Sequence, residues 1–390
     1  MPLPGQLTPS PRLLLGPGPS DAHPRVLTAM TTPLLGHLDP QFLEIMNETQ
    51  AMMREVYGTA NRLTFPISAT GMAGMEACFV NLLEPDDAVV VCAKGFFGSR
   101  MIDVAERTGA RVIALQQKWG EAFDLGRVAE VLKRERPKAI GIVQAETSTG
   151  VHQSLDGLGE LCRELGTLLI VDCVTSLGCT PLKVDELKID AAFSCSQKGL
   201  GCPPGLSPLT FSDRAVAALK SRKTKVRSWY LDMTMIESYW GGDRSYHHTA
   251  PISMIYALRE GLRIVLEEGL EARWARHRRN HLALKAGLEA IGLNYIAAPA
   301  NQLPQLNAVH IPTGVEDVPN RKRMLTDFGI EIGGGLGDFK GNAWRIGLMG
   351  YNSKPSSVFQ VLSALEIVLR GAGVKVVPGS GVAAAELAYG

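Results

Sequence analysis

The chain has 390 residues, 45% hydrophobic and 20% charged, with 40 Lys and Arg against 39 Asp and Glu for a formal charge of +1. This composition excludes a collagen, a coiled coil, a disordered tail and a small disulfide scaffold, and at roughly 150 residues per domain the length allows two or three domains. A general nucleic-acid binder would carry a large basic excess, so none is expected, whereas one small anion held by a few local charges stays open.

The segment up to Pro24 is rich in proline, including Pro17 and Pro19 in Gly16-Pro17-Gly18-Pro19-Ser20. Such a segment cannot form a long helix or a central strand and reads as an extended arm lying on something else. From about Thr64 to Phe211 strand and helix patterns alternate. Apolar runs at Ala88–Cys92, Arg111–Leu115, Ile140–Gln144, Leu168–Val171 and Ala191–Ser194 are separated by helix-like segments such as Ser99–Thr108, Leu125–Arg134 and Leu158–Leu165. This predicts an α/β unit with a mostly parallel sheet covered on both faces, its ligand site at the carboxyl ends of the strands. The pattern changes near Ala250. Ile255, Leu258, Leu262 and Val265 mark one helix face, Gly269 a stop, and Leu284, Leu288 and Ile291 a second helix. Strand candidates Ala308–Ile311 and Trp344–Leu348 and a closing helix through Val358, Val361, Leu365 and Val368 complete a smaller α+β unit. The expected division is an arm over 1–15, a large domain over 16–268 and a small domain over 269–390.

The seven cysteines are odd in number, form no CxxC pair and mostly lie in apolar runs. They read as buried free thiols of a cytoplasmic protein. No secretory signal pattern is evident, and no run of about 18 apolar residues offers a membrane span.

Several residues are placed for chemistry. Lys198 follows a predicted strand and precedes the loop Gly199-Leu200-Gly201-Cys202-Pro203-Pro204-Gly205; a lysine fixed there can form a Schiff base if its surroundings lower its pKa. Asp172 ends the run Leu168–Val171, where a carboxylate needs a partner, one natural choice being a protonated ring nitrogen. Ser68 or Thr70 can cap a helix starting near Gly71, whose first amides attract phosphate. The hydroxyls of Glu146-Thr147-Ser148-Thr149-Gly150 can bond a ligand oxygen. Arg345, in an apolar strand, needs an anionic partner and matches a carboxylate. No metal is expected: His247 and His248 are adjacent and lack further ligands, and His277 and His281 sit in a run of arginines that reads as a solvated basic face.

In order and spacing these motifs resemble the class V, fold-type I aminotransferases that use pyridoxal 5′-phosphate, from Leu13-Leu14-Leu15-Gly16-Pro17-Gly18-Pro19-Ser20 through Arg345. Within them the chain is similar to alanine–glyoxylate and serine–pyruvate enzymes. The strongest matches are Glu146-Thr147-Ser148-Thr149-Gly150, Ser196-Gln197-Lys198 with Pro203-Pro204-Gly205, and Tyr246-His247-His248-Thr249. The resemblance implies a seven-stranded, mostly parallel sheet and a homodimer with a shared site. It implies that Lys198 carries the cofactor and shuttles protons, that Asp172 pairs with the ring nitrogen, that Thr147 bonds the ring oxygen and that Phe97 stacks on the ring. Val174 would contact the cofactor. Thr70, Gly71, Met72 and Gln197 would hold its phosphate, joined by Tyr246 and Thr249 of the neighbouring subunit. Arg345, with Gly18, would bind the substrate. Phe97 and Met72 stand where the animal enzymes have tryptophan and histidine. The implied reaction moves an amino group from alanine or serine to glyoxylate. Rival readings are a pyridoxamine–pyruvate aminotransferase of the same fold, disfavoured by the phosphate-binding motif Tyr246–Thr249, and an NAD-dependent dehydrogenase, which lacks its glycine fingerprint.

Overall fold

The computed structural model describes Met1 and residues 3–390. Seven strands form the main sheet, in the spatial order Leu63–Ile67, Ser207–Phe211, Ala191–Phe193, Leu168–Asp172, Ala139–Val143, Ala88–Ala93, Arg111–Gln116. Only Ser207–Phe211 runs against its neighbours, so the predicted α/β fold with a mostly parallel seven-stranded sheet is the one observed. Strands buried on both faces must be apolar throughout, and Ala139–Val143 and Leu168–Asp172 are buried at every residue. The helices Gly71–Leu82 and Phe96–Arg107 pack so closely on the sheet that a side chain at Gly141 would lie 2.8 Å from Phe79 and 2.6 Å from Met101.

Two strands went unrecognised in the sequence, Leu63–Ile67 and Ser207–Phe211, because each contains a proline. Pro66 and Pro208 face each other across the pair. Pro208 turns its carbonyl the other way, towards the Ser194 amide at 2.8 Å. Leu63–Ile67 is the edge strand, where a missing N–H is tolerated.

A second apolar cluster is built by the helices Leu270–Ala290, Asp317–Phe328 and Pro355–Gly371 around a small antiparallel sheet ordered Leu306–His310, Ala343–Gly347, Gly333–Gly334. The predicted helix stop at Gly269 is where Ile252–Glu268 ends, at φ 81°. The proline-rich arm becomes a two-residue strand, Leu13–Leu14, parallel to Ile330–Glu331, and Leu15 is buried in the second cluster.

Two expectations are corrected. The helix Pro355–Gly371 does not close the chain, since Ser380–Tyr389 follows; its start is capped from the preceding helix, the Glu366 carboxylate accepting from the amides of Gly379 (2.6 Å) and Gly381 (2.7 Å). His277 and His281 lie on no solvated face: both are buried, with Arg273 and Asn280 beside them. The polar side of this helix packs against the molecule, and burial pushes His277 down to about 3, leaving it neutral. No helix among the described residues is long and apolar enough to cross a membrane.

Trp344 is fully buried in the second cluster and donates to Asp317 Oδ1 at 3.0 Å. Trp344→Ala is expected to cost about 3–5 kcal/mol by urea unfolding; a loss below about 1 kcal/mol would mean that this cluster tolerates the cavity.

Candidate active site

The parallel strands bring their carboxyl ends to one edge of the sheet, and the residues that follow them enclose a cavity of about 310 Å³. After Ile67 the chain turns into the helix Gly71–Leu82. Thr70 holds the N-cap position, but its side chain makes no capping bond, contrary to the expectation of a capped start; Ser68 instead bonds His248 Nε2 at 2.7 Å. The uncapped first turn, Thr70, Gly71 and Met72, lines the cavity. After Ala93, the helix Phe96–Arg107 places Phe97 against the cavity. Its start is capped by the buried Glu146 carboxylate, which accepts from the amides of Phe97 (3.4 Å) and Gly98 (3.3 Å) and from Ser148 Oγ (2.5 Å).

Asp172 ends its strand with a buried carboxylate. Oδ1 accepts from the Val174 amide at 2.9 Å, and burial pushes the group up to about 7. Thr147 Oγ1 lies 2.5 Å from Thr175 Oγ1. Lys198 Nζ donates to the Pro17 carbonyl (2.5 Å) and to Thr175 Oγ1 (3.4 Å), and burial lowers its affinity for a proton. Gln197 Oε1 is buried without a partner. Gly18, at φ 122°, faces Lys198; a side chain there would fall 2.8 Å from Lys198 Cε.

Arg345 reaches the same cavity from the small sheet. Its Nε donates to the Gly334 carbonyl (2.7 Å) and Nη1 to the Thr147 carbonyl (3.3 Å). The anionic partner expected for it is not within the chain: among the described residues no carboxylate lies within 4 Å of its nitrogens. Burial pushes the guanidinium down to about 10. The structure thus gathers Gly18, Thr70, Phe97, Val174, Gln197 and Arg345 around Asp172 and Lys198. It leaves Tyr246 and Thr249 outside the lining, with Tyr246 61% exposed and its hydroxyl 3.5 Å from Thr249 Oγ1. Sequence reasoning missed Thr175, which nothing in its neighbourhood marks, and Lys94, which follows an apolar strand just as Lys198 does.

Residues 14–341 match the family model described as aminotransferase class-V. The chain belongs to the class V aminotransferases. A solved alanine–glyoxylate aminotransferase from Nostoc sp. is 51% identical, covering 95% of this chain and 98% of that one at a TM-score of 0.93. The structure of the ureidoglycine–glyoxylate aminotransferase from Bacillus subtilis is 41% identical, with coverages of 99% and 100% and a TM-score of 0.97. The alanine–glyoxylate aminotransferase of Callithrix jacchus is 43% identical over 363 residues, 92% of this chain and 88% of the relative. The dehydrogenase reading is thereby set aside.

The cofactor of this family is pyridoxal 5′-phosphate, and the cavity of this aminotransferase fits it. An uncapped helix start offers amides to a phosphate. The unpartnered amide end of Gln197 beside it can donate after a half-turn. Asp172 is a buried carboxylate with one amide donor, open to a protonated nitrogen. Gly18→Ala puts a methyl group against Lys198 in a left-handed conformation and is expected to lower kcat by about a hundredfold. Wild-type turnover in a steady-state assay would show that the lysine has room to spare.

Proposed function

We propose that this aminotransferase transfers the amino group of alanine to glyoxylate, forming pyruvate and glycine, with serine as the alternative donor giving hydroxypyruvate. The observation that carries the choice of donor is the lining of the cavity that Arg345 enters. Apart from the groups assigned below, it consists of Pro19, Met75, Phe193, Cys195, Pro204 and Leu336, a mostly apolar wall. A methyl side chain suits such a wall, whereas a hydroxyl or ureido group would lose hydrogen bonds to water there. The similarity to a ureidoglycine–glyoxylate enzyme favours one second reading, with ureidoglycine as donor.

Pyridoxal 5′-phosphate, when bound, supplies the electron sink for the charge left when an α-proton departs. The chain's own residues do the rest. Lys198 binds the cofactor covalently, and its burial favours the neutral amine that can take the α-proton and return it. Thr175 Oγ1 and the Pro17 carbonyl hold that nitrogen in place. Asp172, which the Val174 amide fixes, would keep the ring nitrogen protonated, Val174 would contact the ring, and Thr147 would bond the ring oxygen. Phe97, in the cavity wall, would stack on the ring. Thr70, Gly71, Met72 and Gln197 grip the phosphate. Arg345 binds the substrate carboxylate with the part of its guanidinium that Gly334 and Thr147 leave free, and Gly18 gives the substrate and Lys198 room.

The reading includes a homodimer in which Tyr246 and Thr249 complete the phosphate site of the neighbouring subunit. Their exposure, with Trp229 62% exposed nearby, supports a covering partner. It also includes the division at 15 and 268, supported by two separate apolar clusters, and a cytoplasmic location, supported by seven free, buried cysteines.

The test is an absorbance-monitored half-reaction of purified enzyme with alanine, serine, ureidoglycine and pyridoxamine in turn. Alanine is expected to convert the cofactor at least tenfold faster than the others, with ping-pong kinetics. A faster reaction with ureidoglycine would move the assignment to the second reading. Lys198→Ala is expected to abolish both the bound-cofactor band and turnover; persistence of either rejects its role.

A further inference from the structure

A buried charge remains that the mechanism above does not use. Lys94 follows the strand Ala88–Ala93 and is fully buried. Its Nζ donates to the Val143 carbonyl. Val143 pairs in register with Asp172 on the neighbouring strand, so Lys94 is anchored beside the strand end that carries the carboxylate. Among the described residues no carboxylate is within 4 Å of this ammonium. The acidic group that acts on it most strongly, Glu146, is fully buried and already occupied by Ser148, Phe97 and Gly98. A dry ammonium with one acceptor is costly, and a methionine would fill the same volume without that cost. Such a group, next to a strand end that lines the cavity, points to function.

We propose that Lys94 is a positioning residue of the reaction: its buried ammonium, anchored on the Val143 carbonyl, offsets the Glu146 carboxylate and so keeps the Asp172 carboxylate charged for the cofactor's ring nitrogen. The proposal rests on the role given to Asp172 above. Its logic is electrostatic. Lys198 must be neutral to take a proton, and Arg345 is neutralised by the substrate carboxylate. Lys94 is then the remaining buried cation of the chain facing both Glu146 and Asp172.

The groups facing Asp172 are Glu146, which favours its protonation, and Lys198 and Lys94, which oppose it. The thiols of Cys78, Cys173 and Cys195 also face it, all pushed up by burial and uncharged in the working range. Lys94 faces Glu146, Cys92 and Asp172, and also His152, which burial holds below its usual value. Burial lowers Lys94 to about 8, so it is charged at and below neutral pH, where its effect is needed. The sign follows. A cation favours the Asp172 carboxylate; without it Asp172 takes up its proton at higher pH, and the contact with the ring nitrogen is lost earlier as pH falls.

The experiment is retention of pyridoxal 5′-phosphate by purified holoenzyme, dialysed at a series of pH values, with folding checked by thermal unfolding. Lys94→Met is expected to raise the acid midpoint of retention by about one pH unit, equivalent to about tenfold weaker retention on the acid side. Lys94→Gln, which keeps a donor for Val143 and removes the charge, should do the same and serves if the methionine variant does not fold. Lys94→Arg should return the midpoint towards wild type. An unmoved midpoint in a folded Lys94→Met or Lys94→Gln protein overturns the proposal. So does an equal further shift when either change is added to Asp172→Asn, because the effect must run through Asp172. If Asp172→Asn alone retains cofactor with the wild-type pH profile, it is the role of Asp172 that fails.

Discussion

Arg273 is buried between the two halves of the site, and much of the geometry depends on satisfying it. Its guanidinium donates to the carbonyls of Gly178 (2.9 Å) and Gly199 (2.7 Å) and pairs with Glu268 at 2.6 Å. Gly199 adjoins Lys198, so the loop carrying the lysine is held from behind by a cation that has nowhere else to place its donors. One turn on, neutral His277 donates from Nδ1 to the Arg273 carbonyl (2.7 Å) and accepts the Gly350 amide at Nε2 (3.1 Å). Arg276 adds the carbonyls of Gly350 and Ser353. The turn at Gly350 follows the strand of Arg345, so one helix face ties the loop of Lys198 to the segment after Arg345. A lone charged group in that place would be a liability. Fully paired, the network makes the two elements move together.

The charges in and around the cavity follow a similar logic with the opposite outcome, because they are left incomplete. Lys94, Lys198 and Arg345 are set against Glu146 and Asp172, all of them nine-tenths buried or more. Basic side chains outnumber acidic ones there, although the whole chain carries only +1. On the proposed reading the balance comes from outside, a phosphate at the helix start and a carboxylate at Arg345. The raised Asp172 and the lowered Lys198 and Arg345 share one dominant cause, burial. Groups held in this way respond strongly when a ligand supplies the missing charge.

Much of this was readable from the sequence where a local pattern and a tertiary need coincide. The apolar run before Asp172 gives both a strand and a carboxylate at its carboxyl end. Ser196-Gln197-Lys198 before a Gly/Pro loop gives a fixed side chain with space in front of it. Lys94 carries nearly the same signal, an apolar run followed by a lysine and a glycine, but resembles an ordinary strand end until the structure shows its side chain fully buried. Thr175 is silent, since its meaning comes from Thr147 and Lys198 lying opposite. The segment around His277 misleads, because arginines and histidines at close spacing look solvated and only packing against Gly178, Gly199 and Gly350 makes that face interior. The strands with Pro66 and Pro208 were hidden by their prolines, which fit because Pro66 lies on the edge strand and Pro208 lies just beyond the register that pairs its strand with Ala191–Phe193.

The arm shows how a stretch without regular structure can be the most constrained part of a site. The Leu14 carbonyl accepts from Asn352 Nδ2 (2.7 Å), and the Leu15 carbonyl from the Gly347 amide (2.8 Å), which ties the arm to the strand of Arg345. A few residues on, the Ser20 amide donates to the Gln197 carbonyl (2.9 Å) and Ser20 Oγ to the Lys198 carbonyl (3.0 Å). Between these anchors lie Pro17, whose carbonyl accepts from Lys198 Nζ, and Gly18, which leaves the space that the lysine occupies. The prolines reduce the conformations open to the unfolded segment, so ordering it costs less entropy than a flexible strap of equal length would. A stiff strap anchored at both ends can hold one carbonyl against the Lys198 amine, and the missing side chain of Gly18 keeps the same strap from crowding it. The composition that ruled out helix and central strand for this segment is therefore what suits it to position Lys198 between two cores.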